Sequence, residues 1–296
     1  MKHIVTSGCS FTDASNCCDY TTHKMISEDY DEDKYKSWAL HLEDIIPDSK
    51  VYNRALPGAG NAFIVRSIIW QVNELLKQNI KPYVVMQLTS PDRKEFLLDC
   101  DDVKSETDNN LLVHYIPDIM PLHFDPHNAK ELNDNKMWLK HTYEENSIMR
   151  YHYKYYNNKL SALVETFESV LRLQWSLKLN DIDYKIFPGW AVLQQWISTR
   201  GEYPLDFEFE NIAETKYLWN MIDFDNVWFY EFKYSQVRRF GGSFGGITEW
   251  SEDNLPFNER FITGDRITED GTPLDQHPSN TTHKTFAKEV VSKWIK

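Results

Sequence analysis

The chain has 296 residues, 41% of them hydrophobic and 26% charged, which suffices for one large domain with its own core and insertions. The formal net charge is −13 and no stretch is rich in lysine or arginine, which argues against a partner held by its phosphates, whether nucleic acid or an anionic membrane surface. No window approaches the ~20 consecutive apolar residues of a membrane-spanning helix, and the N-terminal MKHIVTSGCSFTDASN reads as a strand and turn in place of a signal peptide.

Residues 2–7 (KHIVTS) read as a short buried strand running into a turn at Gly8. Helical apolar spacing follows over 37–46, a second strand over 50–56, and a tight turn in PGAGN, 57–61. The segment 62–78 (AFIVRSIIWQVNELLKQ) is an amphipathic helix by its spacing, and KPYVVMQLT (81–89) a third strand, continuously apolar like the interior of a parallel sheet. This strand–helix alternation predicts an α/β fold, a three-layer α/β/α sandwich with a parallel sheet of about five strands.

Between about 97 and 157 the rhythm breaks into a stretch rich in Asp, Asn, His and Tyr, too long for a plain connection. It reads as an insertion in a single domain, a lid or an arm for a protein partner. The alternation resumes with a helix over 158–179, a strand at 183–190, a helix near 211–221 and a strand at 226–232. A glycine-rich loop is expected at 238–250 and a closing helix at 281–295. Ten tryptophans and 14% aromatics suit a surface that stacks on sugars, but most such rings fill cores. The four cysteines show neither zinc-like spacing nor a pairing pattern, so reduced thiols in a cytoplasmic product are expected.

Three segments carry chemistry. Ser10, in SGCSFT, falls where the first strand ends, and active sites of doubly wound folds collect at the carboxyl ends of parallel strands. Its bland reading is a turn or N-cap serine. His277, in LDQHPSN, precedes the last helix with Asp275 two residues earlier; a nucleophilic serine needs such a base and a carboxylate to orient it. Here Ser279 or Asn280 would cap the following helix, a role compatible with catalysis. Asn53 and Gly58 in NRALPGAGN, with Asn61, lie at the end of the second strand, where a glycine amide can approach an oxyanion or simply make a turn.

Together these segments resemble the SGNH/GDSL hydrolase family. Gly8-Cys9-Ser10-Phe11-Thr12 matches its first block, Asn53 with Gly58 its second, and DQHPSNTTHKTFA (275–287) its last. The resemblance runs from residue 2 to the end outside the insertion, and its style is that of divergent, often phage-encoded members. It implies a flavodoxin-like SGNH fold and a serine esterase acting without cofactor or metal. Ser10 would be the nucleophile, His277 the base and Asp275 its partner, with the amides of Ser10 and Gly58 holding the oxyanion. Three departures stand out. Cys9 replaces the family's Asp, the last block is Asp-x-His where the family has Asp-x-x-His, and the third strand ends in QLTSPDRKEF without Gly-x-Asn-Asp. Thr89, Ser90, Arg93 or Asn61 would then supply the missing oxyanion donor.

By family habit and aromatic content the expected substrate is an ester, an O-acetyl group on a carbohydrate being preferred. Acyl transfer to a sugar would need only an acceptor site. The competing expectation is a catalytically weak or inactive SGNH-like binding module, for instance in a virus particle. Weaker signals are discounted: His123 and His127 beside Asp118 and Asp125 lack a defined third metal ligand, His283 packs or caps on the last helix, and GGSFGG (241–246) lacks the Lys-Ser/Thr of a phosphate loop.

Overall fold

The computed structural model describes residues 1–13, 36–56, 59–91, 93–97, 121–124, 159–193, 213–232, 242–262 and 276–295. Four strands form one parallel sheet: β1 (Lys2–Ser7), β2 (Ser49–Asn53), β3 (Tyr83–Leu88) and β6 (Tyr184–Pro188), in the order β2-β1-β3-β6. Two antiparallel pairs stand apart from it, β4 (Lys94–Leu97) with β5 (Pro121–Phe124) and β7 (Tyr230–Phe232) with β8 (Gly242–Gly245).

The helices are α1 (Ser10–Asp13), α2 (Trp38–Ile45), α3 (Asn61–Leu76), α4 (Lys159–Leu179), α5 (Ala213–Met221), α6 (Ile247–Asn254), α7 (Phe257–Arg260) and α8 (Asn280–Glu289). They cover both faces of the sheet, and neighbouring residues of β6 show how. Phe187 meets Trp38 of α2 and Phe286 of α8 at ring centroid distances of 5.2 and 5.3 Å. Ile186, pointing the other way as strand pleating requires, lines a pocket with Phe167 and Val170 of α4 and Trp219 of α5. Because both faces are covered, β3 is buried from Val84 to Leu88 and reads as an unbroken apolar run except for Gln87.

Three connections repeat one local solution. The turns leading from α2 into β2, from α3 into β3 and from α4 into β6 each place one residue in the left-handed region: Asp48 (φ 54°), Asn79 (φ 60°) and Asp181 (φ 52°). Asn and Asp tolerate that conformation better than other residues with a Cβ, and it satisfies the last helical carbonyls. After α3 the Gln78, Asn79 and Ile80 amides return to Leu75 and Leu76.

Among the described residues the sheet has four strands where the sequence predicts about five. The segment 226–232, expected as a fifth parallel strand, contributes a single parallel bridge from Val227 to Ile186, and its end pairs antiparallel as β7 with β8. The expected glycine-rich loop is β8 followed directly by α6, and the expected helix at 281–295 is α8 followed by a 3-10 turn, Val291–Lys293. Most of the expected 97–157 insertion lies outside the described residues; within it, β5 pairs with β4 just beyond the end of β3. Among the described residues no helix is long and apolar enough to cross a membrane.

Candidate active site at the carboxyl edge of the sheet

β1 lies between β2 and β3, so the first crossover leaves it to one side and the second passes back to the other. The chain reverses its direction of winding at the carboxyl end of β1, and such switch points are where doubly wound sheets bind their ligands. Ser10 sits there, at the first position of α1, with Cys9 accepting the Thr12 and Asp13 amides at 2.9 and 3.1 Å to close the turn. At that position no intrahelical acceptor exists for the Ser10 N–H.

His277 reaches the same place from the far end of the chain. Its carbonyl accepts the Ile262 amide at 3.0 Å, the Ser279 amide donates to Arg260 O at 3.0 Å, and Phe261 and Pro278 form an isolated antiparallel bridge. Ser279 then caps α8 by accepting the Thr282 amide at 3.1 Å, so the histidine backbone is held on both sides. Phe11 packs against the imidazole at 5.1 Å between ring centroids. The outcome is a 2.7 Å contact between Ser10 Oγ and His277 Nε2 across 267 positions of sequence. With Nε2 unprotonated, the hydroxyl donates and the nitrogen accepts.

The remaining expected site residues fare differently. Asp275 and Gly58 lie outside the described residues. Asn61 is buried and spends its carboxamide on the chain after β3: Oδ1 accepts the Thr89 amide at 3.0 Å, and Nδ2 donates to Thr89 O at 3.1 Å and Thr166 Oγ1 at 3.3 Å. It fastens α3 to the end of β3. Asn53 likewise works within the scaffold, accepting from Thr6 Oγ1 at 3.1 Å and donating to Thr12 O at 2.8 Å. Thr89 is fully buried, and its hydroxyl has no hydrogen-bond partner among the described residues. Ser90 is buried, and its carbonyl accepts the Arg93 amide at 3.3 Å. The Arg93 guanidinium lies over the Trp190 ring at 5.4 Å; Trp190 in turn meets Phe11 at 5.0 Å. The buried rings of Trp190 and Phe11 thus link Arg93 to His277 by packing.

Several site residues escaped the sequence reading. Glu249 of α6 is buried and accepts the Ala191 amide at 3.0 Å and the Gly246 amide at 2.8 Å, pinning the turn that carries Trp190. Gln87 lies under the turn that carries Ser10; a lone polar residue inside VVMQL was its only signal. His283, expected from the sequence to pack or cap on the last helix, is buried one helical turn into α8, with neither ring nitrogen hydrogen-bonded among the described residues. Burial pushes its pKa down to about 3, and the neighbouring His41 and His277 add to that as like charges when protonated. His41 is also lowered by burial, against the opposing pull of Asn280, which accepts from Nε2 at 3.0 Å, and of Asp44. Among the described residues no three His, Cys, Asp or Glu side chains gather as metal ligands, and Cys9 is free and buried. The side chains of His123, His127, Asp118 and Asp125 are outside the described set.

Neither protein-family models nor curated proteins match this chain.

Proposed function

We propose that the chain is a serine ester hydrolase of the SGNH/GDSL type, with Ser10 as nucleophile and His277 as general base. The observation that carries this reading is the 2.7 Å Ser10–His277 contact at the carboxyl end of β1, where the winding of the sheet reverses. Isolated serines at strand ends are common. A serine hydrogen-bonded to an imidazole delivered from the opposite end of the chain, at the topological reversal of a parallel sheet, is a far more restrictive arrangement.

In the reaction, Ser10 Oγ attacks the ester carbonyl carbon while its proton passes to His277 Nε2. Collapse of the tetrahedral intermediate breaks the carbon–oxygen bond to the alcohol, which leaves with the proton from His277. Water then attacks the acyl-serine with His277 again as base, releasing the acid and free Ser10. The Ser10 N–H is one donor for the oxyanion, and the Gly58 amide and a polar group from Thr89, Ser90 or Arg93 are the proposed others. Asp275 is the proposed partner of the imidazole. An O-acetylated carbohydrate is the preferred substrate, from family habit and the aromatic content of the chain.

A second reading draws on the end of β3. The family's oxyanion asparagine has no counterpart at Thr89, and Asn61 is committed to Thr89 and Thr166. Loss of one oxyanion donor costs about 10²–10³ in turnover, so the alternative is a weak enzyme or a binding module of the same fold, as in a virus particle.

Intact-mass labelling with a fluorophosphonate separates the two. One adduct on the wild type that disappears in Ser10→Ala, together with loss of acetate-ester hydrolysis in Ser10→Ala and His277→Ala, is the expected result. A folded wild type that takes no adduct overturns the nucleophile assignment and favours the binding module.

A further inference from the structure

We infer that Gln87 is the positioning residue of the nucleophile turn, setting the peptide planes on which Ser10 is aimed at His277. The inference rests on the reading of Ser10 as nucleophile.

Gln87 is the fifth residue of β3 and completely buried. Its Oε1 accepts the Cys9 amide at 3.2 Å, the Thr12 hydroxyl at 2.8 Å and the Cys9 thiol at 3.5 Å. Its Nε2 donates to Leu88 O at 2.7 Å and lies 3.4 Å from Cys9 Sγ. The carboxamide thus holds residues on both sides of Ser10. Cys9 N–H is fixed from below, Cys9 O is turned to the Thr12 and Asp13 amides, and Ser10 stands between them.

The surrounding sequence is built around that carboxamide. A Cβ at Gly8 would lie 2.5 Å from Gln87 Oε1 and 2.3 Å from Thr12 Oγ1; a Cβ at Gly189 would lie 2.4 Å from Gln87 Nε2. Two strand ends, of β1 and β6, therefore carry glycine where the amide passes between them. The Thr12 hydroxyl that donates to Gln87 also accepts from Trp38 Nε1 at 3.1 Å, and the Thr12 carbonyl accepts from Asn53 at 2.8 Å. Chains of this kind polarise one another and leave the group at their centre a single arrangement. The sheet itself has no use for a carboxamide here. The flanking Met86 and Leu88 are apolar, and an apolar residue at 87 would bury without any need of partners.

The test compares wild type with Gln87→Met, which keeps length and volume, and Gln87→Glu, which keeps the acceptor. Three quantities are read: the rate constant of fluorophosphonate labelling at saturating probe, the fraction finally labelled, and hydrogen exchange of the peptide covering residues 8–13. A positioning role predicts that Gln87→Met labels completely but on the order of 10–100-fold more slowly. Exchange should be faster in 8–13 and unchanged in α3, and Gln87→Glu should recover part of the rate. Labelling at the wild-type rate overturns the inference. So does a reduced labelled fraction that reacts at the wild-type rate, since that reports a folding defect alone. A wild type that takes no adduct overturns the nucleophile reading and this inference with it, whereas a labelled wild type beside an unaltered Gln87→Met overturns this inference only.

Discussion

His283 shows how one side chain shapes the acid stability of the whole site. In the unfolded chain it titrates near 6.5, and in the folded protein only near about 3. Between those values the unfolded state binds more protons, so stability falls as pH falls, by up to about 1.4 kcal/mol per pH unit, and levels off below the folded value. His41 acts in the same direction because its pKa is also lowered. Replacing His283 by Phe, which keeps a planar ring against α2, should flatten the decline in urea midpoint measured from pH 6.5 to pH 4. An unchanged slope would assign the acid sensitivity to other groups.

At the scale of elements, the site is an assembly of strand ends and helix starts whose positions are secured by buried polar links. Glu249 joins α6 to the turn after β6 through the Ala191 amide and closes the start of α6 through the Gly246 amide. Glu249→Leu orphans both, and each buried unsatisfied donor costs about 1–3 kcal/mol. A combined loss of roughly 2–6 kcal/mol in denaturant unfolding is expected, and on the proposed function ester hydrolysis falls as well because Trp190 is displaced. A loss under about 1 kcal/mol would mean that those amides find other acceptors. The α3–β3 link through Asn61 is of the same type: the carboxamide both accepts from and donates to the backbone of Thr89. Turn chemistry was legible at this scale only in part. Asp48, Asn79 and Asp181 punctuate the three helix-to-strand turns, and each precedes its strand by a few residues.

For the whole molecule, the formal charge of −13 is the dominant long-range term. Self-repulsion of that size opposes the compact state and is screened beyond about 10 Å at 0.1 M salt. The ion pairs found among the described residues are largely exposed, such as Lys81–Asp181 at 2.8 Å and the N-terminal ammonium–Asp48 at 2.6 Å, and exposed pairs contribute little. The unfolding temperature should therefore rise by a few degrees as NaCl increases from about 10 to 150 mM. A fall would show that favourable pairing outweighs the net repulsion.

The sequence by itself determined what depends on near neighbours. Alternation of apolar strands with amphipathic segments specified β1, α2, β2, α3, β3, α4 and β6 to within a few residues, because burial on two faces or on one stripe leaves its period in the chain. It also singled out Ser10 and His277 from their places at a strand end and before a helix. Their approach to 2.7 Å was decided by the tertiary structure, through the bridge of Phe261 to Pro278 and the packing of α8 on α2. The width of the sheet was decided there too, since 226–232 had the composition of a parallel strand but its end found β8 as an antiparallel partner. So was the meaning of Gln87, a polar residue whose partners in the turn around Ser10 lie 75 to 78 positions away. Hydrogen-bond partners at such separations leave no periodic trace in a sequence, because they are selected by the folded geometry and not by the residues beside them.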